Sequence, residues 1–233
     1  MKKKIRIHDE FYLNSNRHNK PKEYFKLLNR ILNKKIKKNK SYELLDVGCA
    51  NGELLFYLEK QFSNINFSGV DIRKDLIHIA KKQLSTNTFL ARRDFNKKIS
   101  INKKYDFVVC CGVISIFDDL DIFINNLKKS LKKNGYLFIF NSFNEYDFDA
   151  IVSYKDLNSK IKNYQSGWNI WSIKTIQKYF KKRVKKHKFD IKFDIKKNKK
   201  DLIRTWTVNI NKKRYFINSL QIIQNQMFLE IRI

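Results

Sequence analysis

Residues 44–58, LLDVGCANGELLFYL, carry the clearest chemical signal in this sequence. An apolar run ends at Asp46, the chain passes through Gly48 and Gly52, and an amphipathic run follows. Glycine permits a tight turn and lets a ligand approach the backbone closely. Unpaired N–H groups at the start of the next helix would favour a nucleotide-like or carboxylate-bearing ligand. The pattern therefore predicts a strand, a ligand-binding turn and a helix, although an ordinary glycine-rich turn has the same form.

A second acid lies 25 positions after Asp46, where the apolar run 65–71 ends in Asp71. In nucleotide-binding sheets, an acid at the end of the second strand accepts the ribose hydroxyls, because one carboxylate can receive both. We therefore expect Asp71 to bind a ribose. The alternative is an aspartate that only caps the following helix.

The turn resembles motif I of the class I S-adenosylmethionine-dependent methyltransferases, Asp/Glu-x-Gly-x-Gly-x-Gly, with Ala50 at the middle glycine. Its spacing differs from the dinucleotide fingerprint GxGxxG. The resemblance covers about residues 40–142 and implies S-adenosyl-L-methionine as cofactor and S-adenosyl-L-homocysteine as product. It also implies that Asp94 binds the adenine amino group and that Phe95 flanks the ring. The full set of implied cofactor-binding residues is Asp46, Gly48, Cys49, Ala50, Gly52, Asp71, Ile72, Asp94, Phe95 and Cys111.

The elements that must hold these residues alternate between helices and strands. The apolar periodicity predicts helices over 21–37, 52–62, 75–84 and 118–132, and strands over 65–71, 88–95, 105–114 and 135–140. Such alternation predicts an α/β fold with a doubly wound, mostly parallel sheet. The resemblance adds that this Rossmann-like sheet has seven strands, the last of them (227–233) antiparallel at the edge.

The C-terminal third has a different character. Apolar residues alternate from Phe189 to Ile195, which predicts a strand with one solvated face, and 204–210 and 214–223 are predicted as further strands. Ser172 is a natural N-cap for a helix ending at Phe180. In the similar family, the acceptor pocket is built from the N-terminal segment and the loops after strands four and five. By that analogy the acceptor-binding candidates are Tyr12, Asn141, Trp168, Asn169, Trp171 and Trp206.

The length of 233 residues suits one methyltransferase domain. We divide it into an N-terminal helical segment (1–40), a cofactor-binding core (41–142) and an acceptor-side region with elaborated C-terminal strands (143–233). No apolar run is long enough to cross a membrane, and no apolar signal core follows the basic first residues. Three cysteines make neither a metal spacing nor a disulfide framework. We therefore expect a cytoplasmic protein without a metal, and the oligomeric state stays open.

The net charge of +28 allows two interpretations. A basic protein can bind nucleic acid or another polyanion. Here, however, 40 of the 50 basic residues are Lys, and the chain is rich in Asn, Ile and Phe, which is typical of an AT-rich coding background. Arg, the better residue for bidentate recognition of phosphates and bases, is scarce.

The function predicted from these features is an S-adenosylmethionine-dependent methyltransferase (EC 2.1.1.-) with a small-molecule acceptor, such as a sugar or surface-polysaccharide precursor. An RNA methyltransferase that uses the basic surface is one alternative, and a non-catalytic cofactor-binding relative is another. The strand over 105–114 has neither an Asn/Asp-Pro-Pro-Tyr/Phe sequence nor a cysteine beside proline, so it lacks the signatures of two nucleic-acid methyltransferase classes. Cys110 and Cys111 are expected to be small hydrophobes. No catalytic residue is nominated, and Asp118, Asp119 and Asp147 are the acids considered as bases.

Overall fold

The computed structural model describes residues 8–15, 17–157, 163–199 and 203–233. The basic first residues, on which the expectation about a signal sequence depends, lie outside these ranges. A short 3-10 helix (His8–Leu13) opens the described chain. The elements that follow are α1 (Glu23–Asn33), β1 (Tyr42–Val47), α2 (Glu53–Glu59), β2 (Ile65–Asp71), α3 (Lys74–Gln83), β3 (Phe89–Arg92), β4 (Tyr105–Cys111), α4 (Asp121–Lys129) and β5 (Leu131–Asn144).

The C-terminal part contains short strands and one helix. They are β6 (Ser153–Tyr154), β7 (Gln165–Ser166), β8 (Trp171–Ser172), α5 (Ile173–Phe180), β9 (Lys185–Lys188), β10 (Trp206–Ile210), β11 (Lys213–Ile217) and β12 (Gln226–Arg232). Ser172 caps α5 as predicted, because its hydroxyl accepts a hydrogen bond from the Thr175 N–H at 3.0 Å. No helix in the described part of the chain is long and apolar enough to cross a membrane.

The main sheet has the strand order β3-β2-β1-β4-β5-β12-β9, and β8 also pairs with β5. The pairs from β3 through β5 are parallel, whereas β12 pairs antiparallel with both β5 and β9. The predicted mostly parallel sheet with an antiparallel C-terminal strand is therefore confirmed. β12 lies one position inside the edge, since the short strand β9 pairs along its outer side.

Apolar side chains cover both faces of this sheet. On one face, α1, α2 and α3 pack onto it through buried residues such as Leu28, Leu55 and Ala80. On the other face, α4 and α5 pack through residues such as Ile124 and Ile176. A sheet buried on both faces explains why its central strands are nearly continuous apolar runs. The sheet therefore fixes all its parallel strand ends at one edge.

Two predicted elements end earlier in the structure than expected. The helix predicted over 118–132 ends at Lys129, because Leu131 already pairs with Tyr105 as the start of β5. The strand predicted over 214–223 ends at Ile217, where a turn closed by the Gln221 N–H and the Asn218 carbonyl begins. The last strand, predicted over 227–233, is β12 (Gln226–Arg232).

The alternating segment 189–195 does not form a strand, and the sheet edge is instead β9, just before it. Phe189 and Phe193 pack against Phe216, with ring centroids 5.6 and 6.1 Å apart. The alternation thus builds an aromatic cluster with the β10–β11 hairpin, which forms a separate two-stranded sheet. The division of the chain at residues 40 and 142 stays a prediction.

Candidate active site

A cavity of about 790 Å³ lies at the carboxyl ends of the parallel strands. Its walls come from three parts of the chain: the N-terminal segment around Tyr12, the turns after β1 to β5, and the C-terminal region from Trp168 to Gln226. Ligands of open α/β sheets bind at this edge. The predicted site residues can therefore be judged by whether they line this cavity.

Gly48 makes the turn after β1 possible. Its φ is +79°, and a Cβ there would lie 2.3 Å from the Val113 side chain. The N–H groups of Gly48 and Cys49 both donate to the Val70 carbonyl, at 2.8 and 3.1 Å. These bonds tie the turn to β2, and the glycine leaves its inner surface bare for a ligand.

Gly52 does not line the cavity, although it was predicted to contact the cofactor. Its φ is +85°, and a Cβ there would lie 2.8 Å from Leu84 Cδ1 and 3.1 Å from the Ala80 Cβ. Gly52 therefore allows the start of α2 to pack closely against α3. Its contribution to the site is positional.

Ala50, which lines the cavity, adopts a φ of +49°. This left-handed conformation costs an L-residue about 1–2 kcal/mol and is free for glycine. The departure from the methyltransferase motif is therefore a strained alanine in a glycine conformation.

Backbone donors on both sides orient Asp71. One carboxylate oxygen accepts from the Ala50 N–H and the other from the Arg73 N–H, each at 2.9 Å. Each oxygen has a second lone pair, and the residue lines the cavity. The carboxylate is therefore held in a fixed orientation at the cavity wall.

Asp46 is almost fully buried at the end of β1 and also lines the cavity. Burial, with a further contribution from the charge of Asp71, raises its pKa to about 7. Within the described chain, its carboxylate makes no hydrogen bond or ion pair with a protein group. A buried carboxylate of this kind is stabilised by a cationic ligand.

The far wall beyond β3 contains Asp94 and Phe95. One oxygen of Asp94 accepts from the Asn96 N–H at 3.0 Å. The loop is fixed from behind by Asn126, whose side-chain amide donates to the carbonyls of Phe95 and Lys97 at 2.9 and 2.8 Å. Sequence reasoning missed Asn126, because its partners lie about 30 residues away.

The end of β4 forms the middle of the cavity. Cys111 and Ile72 line it, and so does Gly112, whose missing Cβ would meet no atom within 4 Å. Burial raises the pKa of both Cys110 and Cys111 above the ordinary thiol value. Neither cysteine is therefore a thiolate near neutral pH, as expected for small hydrophobes.

Four of the six acceptor candidates line the cavity: Tyr12, Asn141, Trp168 and Asn169. Asn169 is fully buried, and its amide is occupied by protein partners. It donates to the Phe117 carbonyl at 2.7 Å and accepts from the Val152 N–H at 2.8 Å. It therefore supports the wall on which Trp168 is placed.

The other two tryptophans do not line the cavity. Trp171 is buried in the core, and its Nε1 donates to the Ile114 carbonyl at 3.1 Å. Trp206 lies at the start of β10, with the Lys197 ammonium 4.9 Å from its ring centroid. The sequence around these tryptophans has no regular periodicity, so it could not predict which of them line the cavity and which pack elsewhere.

The N-terminal segment is attached over the cavity by Asn51. Its side-chain amide donates to the carbonyls of Tyr12 and Ser15, each at 3.0 Å, and the Ser15 hydroxyl donates to Glu53 at 2.6 Å. Tyr24 adds a second unpredicted wall, stacked on Phe140 with ring centroids 4.3 Å apart. The one sequence signal for the attachment of the N-terminal segment is the position of Asn51 beside the glycine turn.

None of the three acids considered as bases lines the cavity. Asp118 accepts from Ser166 and Asn169, Asp119 accepts from the Asp121 N–H at the start of α4, and Asp147 pairs with Lys174. Their contacts account for them as structural acids.

Comparison with known proteins agrees with this geometry. Residues 45–137 match the methyltransferase domain family. This match supports the class I S-adenosylmethionine-dependent methyltransferase family for the chain. The cofactor of that family is S-adenosylmethionine, in agreement with the predicted cofactor. The matched residues run from β1 into β5 and include the glycine turn, Asp71 and Asp94.

Two curated methyltransferases illustrate the extent of the similarity. The malonyl-[acyl-carrier protein] O-methyltransferase of Acetivibrio thermocellus is 30% identical over 122 residues, which are 52% of this chain and 42% of that protein. The ubiquinone biosynthesis O-methyltransferase of Pelagibacter ubique is 31% identical over 103 residues, 43% of this chain and 42% of that one. This chain therefore spans less than half the length of these relatives.

A solved S-adenosylmethionine-dependent methyltransferase from Clostridium acetobutylicum matches most of the fold. Its TM-score is 0.54 at 16% identity, and the match covers 87% of this chain and 89% of that chain. At this identity the match concerns the fold alone.

The residues that line this cavity fit S-adenosylmethionine chemically. Asp71 offers two oriented oxygens for ribose hydroxyls, and Asp46 offers a buried carboxylate for a cation such as the ammonium or sulfonium of the cofactor. Gly48 and Gly112 leave backbone surface without side chains. Hydroxyls, cations and a close backbone approach are what this ligand requires. Ile72, Asp94, Phe95 and Cys111 line the same cavity, and their roles toward the cofactor stay predictions.

Proposed function

We propose that this protein transfers the methyl group of S-adenosylmethionine to a small-molecule acceptor. The observation that carries the proposal is one covered cavity with two chemically different ends. One end contains Asp46, Asp71 and Asp94, and the other is closed by the N-terminal segment and the C-terminal region. Its volume lies in the range of small-ligand and cofactor sites, about 300–1,000 Å³. A sugar or surface-polysaccharide precursor belongs to this class of acceptor.

The bound cofactor supplies an activated methyl group whose sulfur is already a good leaving group. The residues of this chain then bind and orient the two reactants and exclude water. Asp71 would hold the ribose, and Asp46 would attract the positive charge of the cofactor. Gly112, beside Cys111, leaves open space at the centre of the cavity.

The names of relatives give additional support. A malonyl-[acyl-carrier protein] O-methyltransferase and a ubiquinone biosynthesis O-methyltransferase both share the matched region with this chain. The C-terminal region of this chain, which closes the acceptor end, lies largely beyond the residues that the family match covers. The acceptor is therefore expected to be specific to this chain.

The test is a screen of small-molecule acceptors, sugars and nucleotide sugars among them, with S-adenosylmethionine and purified protein. Formation of S-adenosylhomocysteine is the readout, with RNA as a parallel substrate. Methylation of a small molecule supports the proposal. Methylation of RNA alone, or a folded protein that does not bind the cofactor, contradicts it.

A further inference from the structure

The charge of the cavity lining changes at Cys111. Every carboxylate of the described lining comes before this residue, in the N-terminal segment, α2 or the turns after β1 to β3: Glu23, Asp46, Glu53, Asp71 and Asp94. From Cys111 onward, the described lining contains no Asp or Glu, whereas it includes Lys196 and Arg204. The lining before Cys111 thus balances its acids with the cations Arg17, Lys20, Lys22, Arg73 and Arg93, whereas the described lining after it has cations and no acid.

Two buried side chains at this end have donors without partners. Asn218 and Gln224 are 1% and 5% exposed, and both line the cavity. Asn218 Nδ2 and Gln224 Nε2 have no hydrogen-bond partner among the described residues. A buried donor left unsatisfied costs about 1–3 kcal/mol. Two such donors in one cavity wall indicate that a ligand supplies their acceptors.

The orientation of both amides is fixed by their oxygens. Asn218 Oδ1 accepts from the Leu220 backbone N–H at 3.1 Å. Gln224 Oε1 accepts from the Thr205 hydroxyl at 2.9 Å and from Gln226 Nε2 at 3.1 Å. Rotating the Asn218 amide by 180° would place its nitrogen against the Leu220 N–H, and rotating the Gln224 amide would place its nitrogen against Gln226 Nε2. The NH₂ groups are therefore the ends left for a ligand.

Asn218 and Gln224 lie at the acceptor end of the cavity, far from Asp71. The Asn225 carbonyl accepts from the Phe143 N–H at 3.0 Å, so Gln224 lies beside the end of β5. Four strand steps separate β2 from β12 in the sheet. At about 4.8 Å a step, this is about 19 Å from the side that carries Asp71.

Arg204 joins this wall to the N-terminal segment. Its guanidinium lies 3.2 Å from the centroid of the Phe11 ring, next to Tyr12 in the cavity lining. A guanidinium stacked in this way keeps its N–H groups in the plane of the fork. The cation is thus held at the same end as the two amide donors.

We propose that Asn218 and Gln224, together with Arg204 and Lys196, bind an anionic group of the methyl acceptor, a carboxylate or a phosphate. This inference rests on the proposed function and names the class of its substrate. The described lining from Cys111 onward has no carboxylate, which favours an oxygen anion over a cation at the two amide donors. Charge-assisted hydrogen bonds are about twice as strong as neutral ones. The acceptor is therefore anchored by its anion, with the rest of the molecule directed toward Gly112.

The experiment is a titration followed by the side-chain NH₂ resonances of Asn218 and Gln224. Protein saturated with S-adenosylhomocysteine is titrated with acetate, inorganic phosphate and neutral acetamide at constant ionic strength. We expect one of the two anions to shift both resonances and acetamide to bind at least tenfold more weakly. The acetate and phosphate arms decide between the two anions.

Gln224→Glu keeps the oxygen that accepts from Thr205 and replaces the free NH₂ with a second oxygen. We expect at least tenfold weaker anion binding with S-adenosylhomocysteine affinity unchanged. Gln221→Glu is the matched control, because it adds the same charge to an exposed residue of the same segment that does not line the cavity. Asn218→Asp provides a second, independent variant.

The inference is overturned if no probe shifts these resonances, if acetamide binds as tightly as both anions, or if both cavity variants bind the anion like the wild type. The cofactor readout is separate. If S-adenosylhomocysteine does not bind, the proposed function fails, and the same anion titration on the unloaded protein still decides whether this wall binds an anion.

Discussion

The two ends of the cavity are built in different ways. The cofactor end comes from consecutive strand-turn units, and backbone N–H groups orient two of its acids, Asp71 and Asp94. The acceptor end is assembled from distant segments, held by contacts such as Arg204 on Phe11. The local end can serve many relatives with one cofactor. The assembled end can change its ligand without disturbing the sheet.

The largest expected effect separates two tryptophans that the sequence placed together. Trp171→Ala should lower the free energy of unfolding by about 3–5 kcal/mol, because it leaves a cavity in the core and an unpaired Ile114 carbonyl. Trp168→Ala removes a half-buried cavity wall and should preserve cofactor affinity while lowering turnover once an acceptor is known. Urea denaturation and calorimetry measure both variants. A large loss of cofactor affinity in Trp168→Ala would place that residue at the wrong end.

Asp46→Asn should raise the stability of the unliganded protein above neutral pH and weaken cofactor binding. Burial raises the pKa of Asp46 to about 7, above its ordinary value, so the folded unliganded protein loses stability as the pH rises from about 4 through 7. The variant removes this loss, which is on the order of a few kcal/mol. We expect it to be more stable than wild type at pH 8, nearly equal to it at pH 4, and weaker in cofactor binding. Equal stability at pH 8 would contradict the buried charge.

Asp71→Ala should weaken binding of S-adenosylhomocysteine at least tenfold. The change removes charged hydrogen bonds worth about 1.5–3 kcal/mol. Calorimetric titration gives the affinity, and Asp190→Ala is the control, because its carboxylate is exposed and pairs only weakly with the solvated Lys192. Unchanged affinity in Asp71→Ala would remove this residue from the cofactor end.

The smallest effect is expected at the strained turn. Ala50→Gly relieves a φ of +49° but adds the greater entropy that glycine has in the unfolded chain. The two terms nearly offset, so the free energy of unfolding should change by less than about 1 kcal/mol. Cofactor affinity should be equal or higher. A marked loss of affinity would mean that the Ala50 methyl contacts the ligand.

The same comparison explains what the sequence could predict. Asp46, Gly48 and Asp71 are close in the chain and follow from the strand-turn pattern. The sheet and this end of the cavity could therefore be predicted from the sequence. Asn218 and Gln224 lie in the segment after the β10–β11 hairpin, which is joined to the end of β5 by the bond from the Phe143 N–H to the Asn225 carbonyl. No local pattern indicates that contact. The alternation over 189–195 was misleading because an aromatic cluster and a strand edge need the same spacing of apolar residues.

The most direct measurement is calorimetric titration of the folded protein with S-adenosylmethionine and S-adenosylhomocysteine, with a nicotinamide dinucleotide as control. The account predicts micromolar binding of the first two, loss of that binding in Asp71→Ala, and no binding of the dinucleotide. A folded protein that binds neither adenosyl compound, or binds the dinucleotide instead, would contradict the assignment of the acidic end to S-adenosylmethionine.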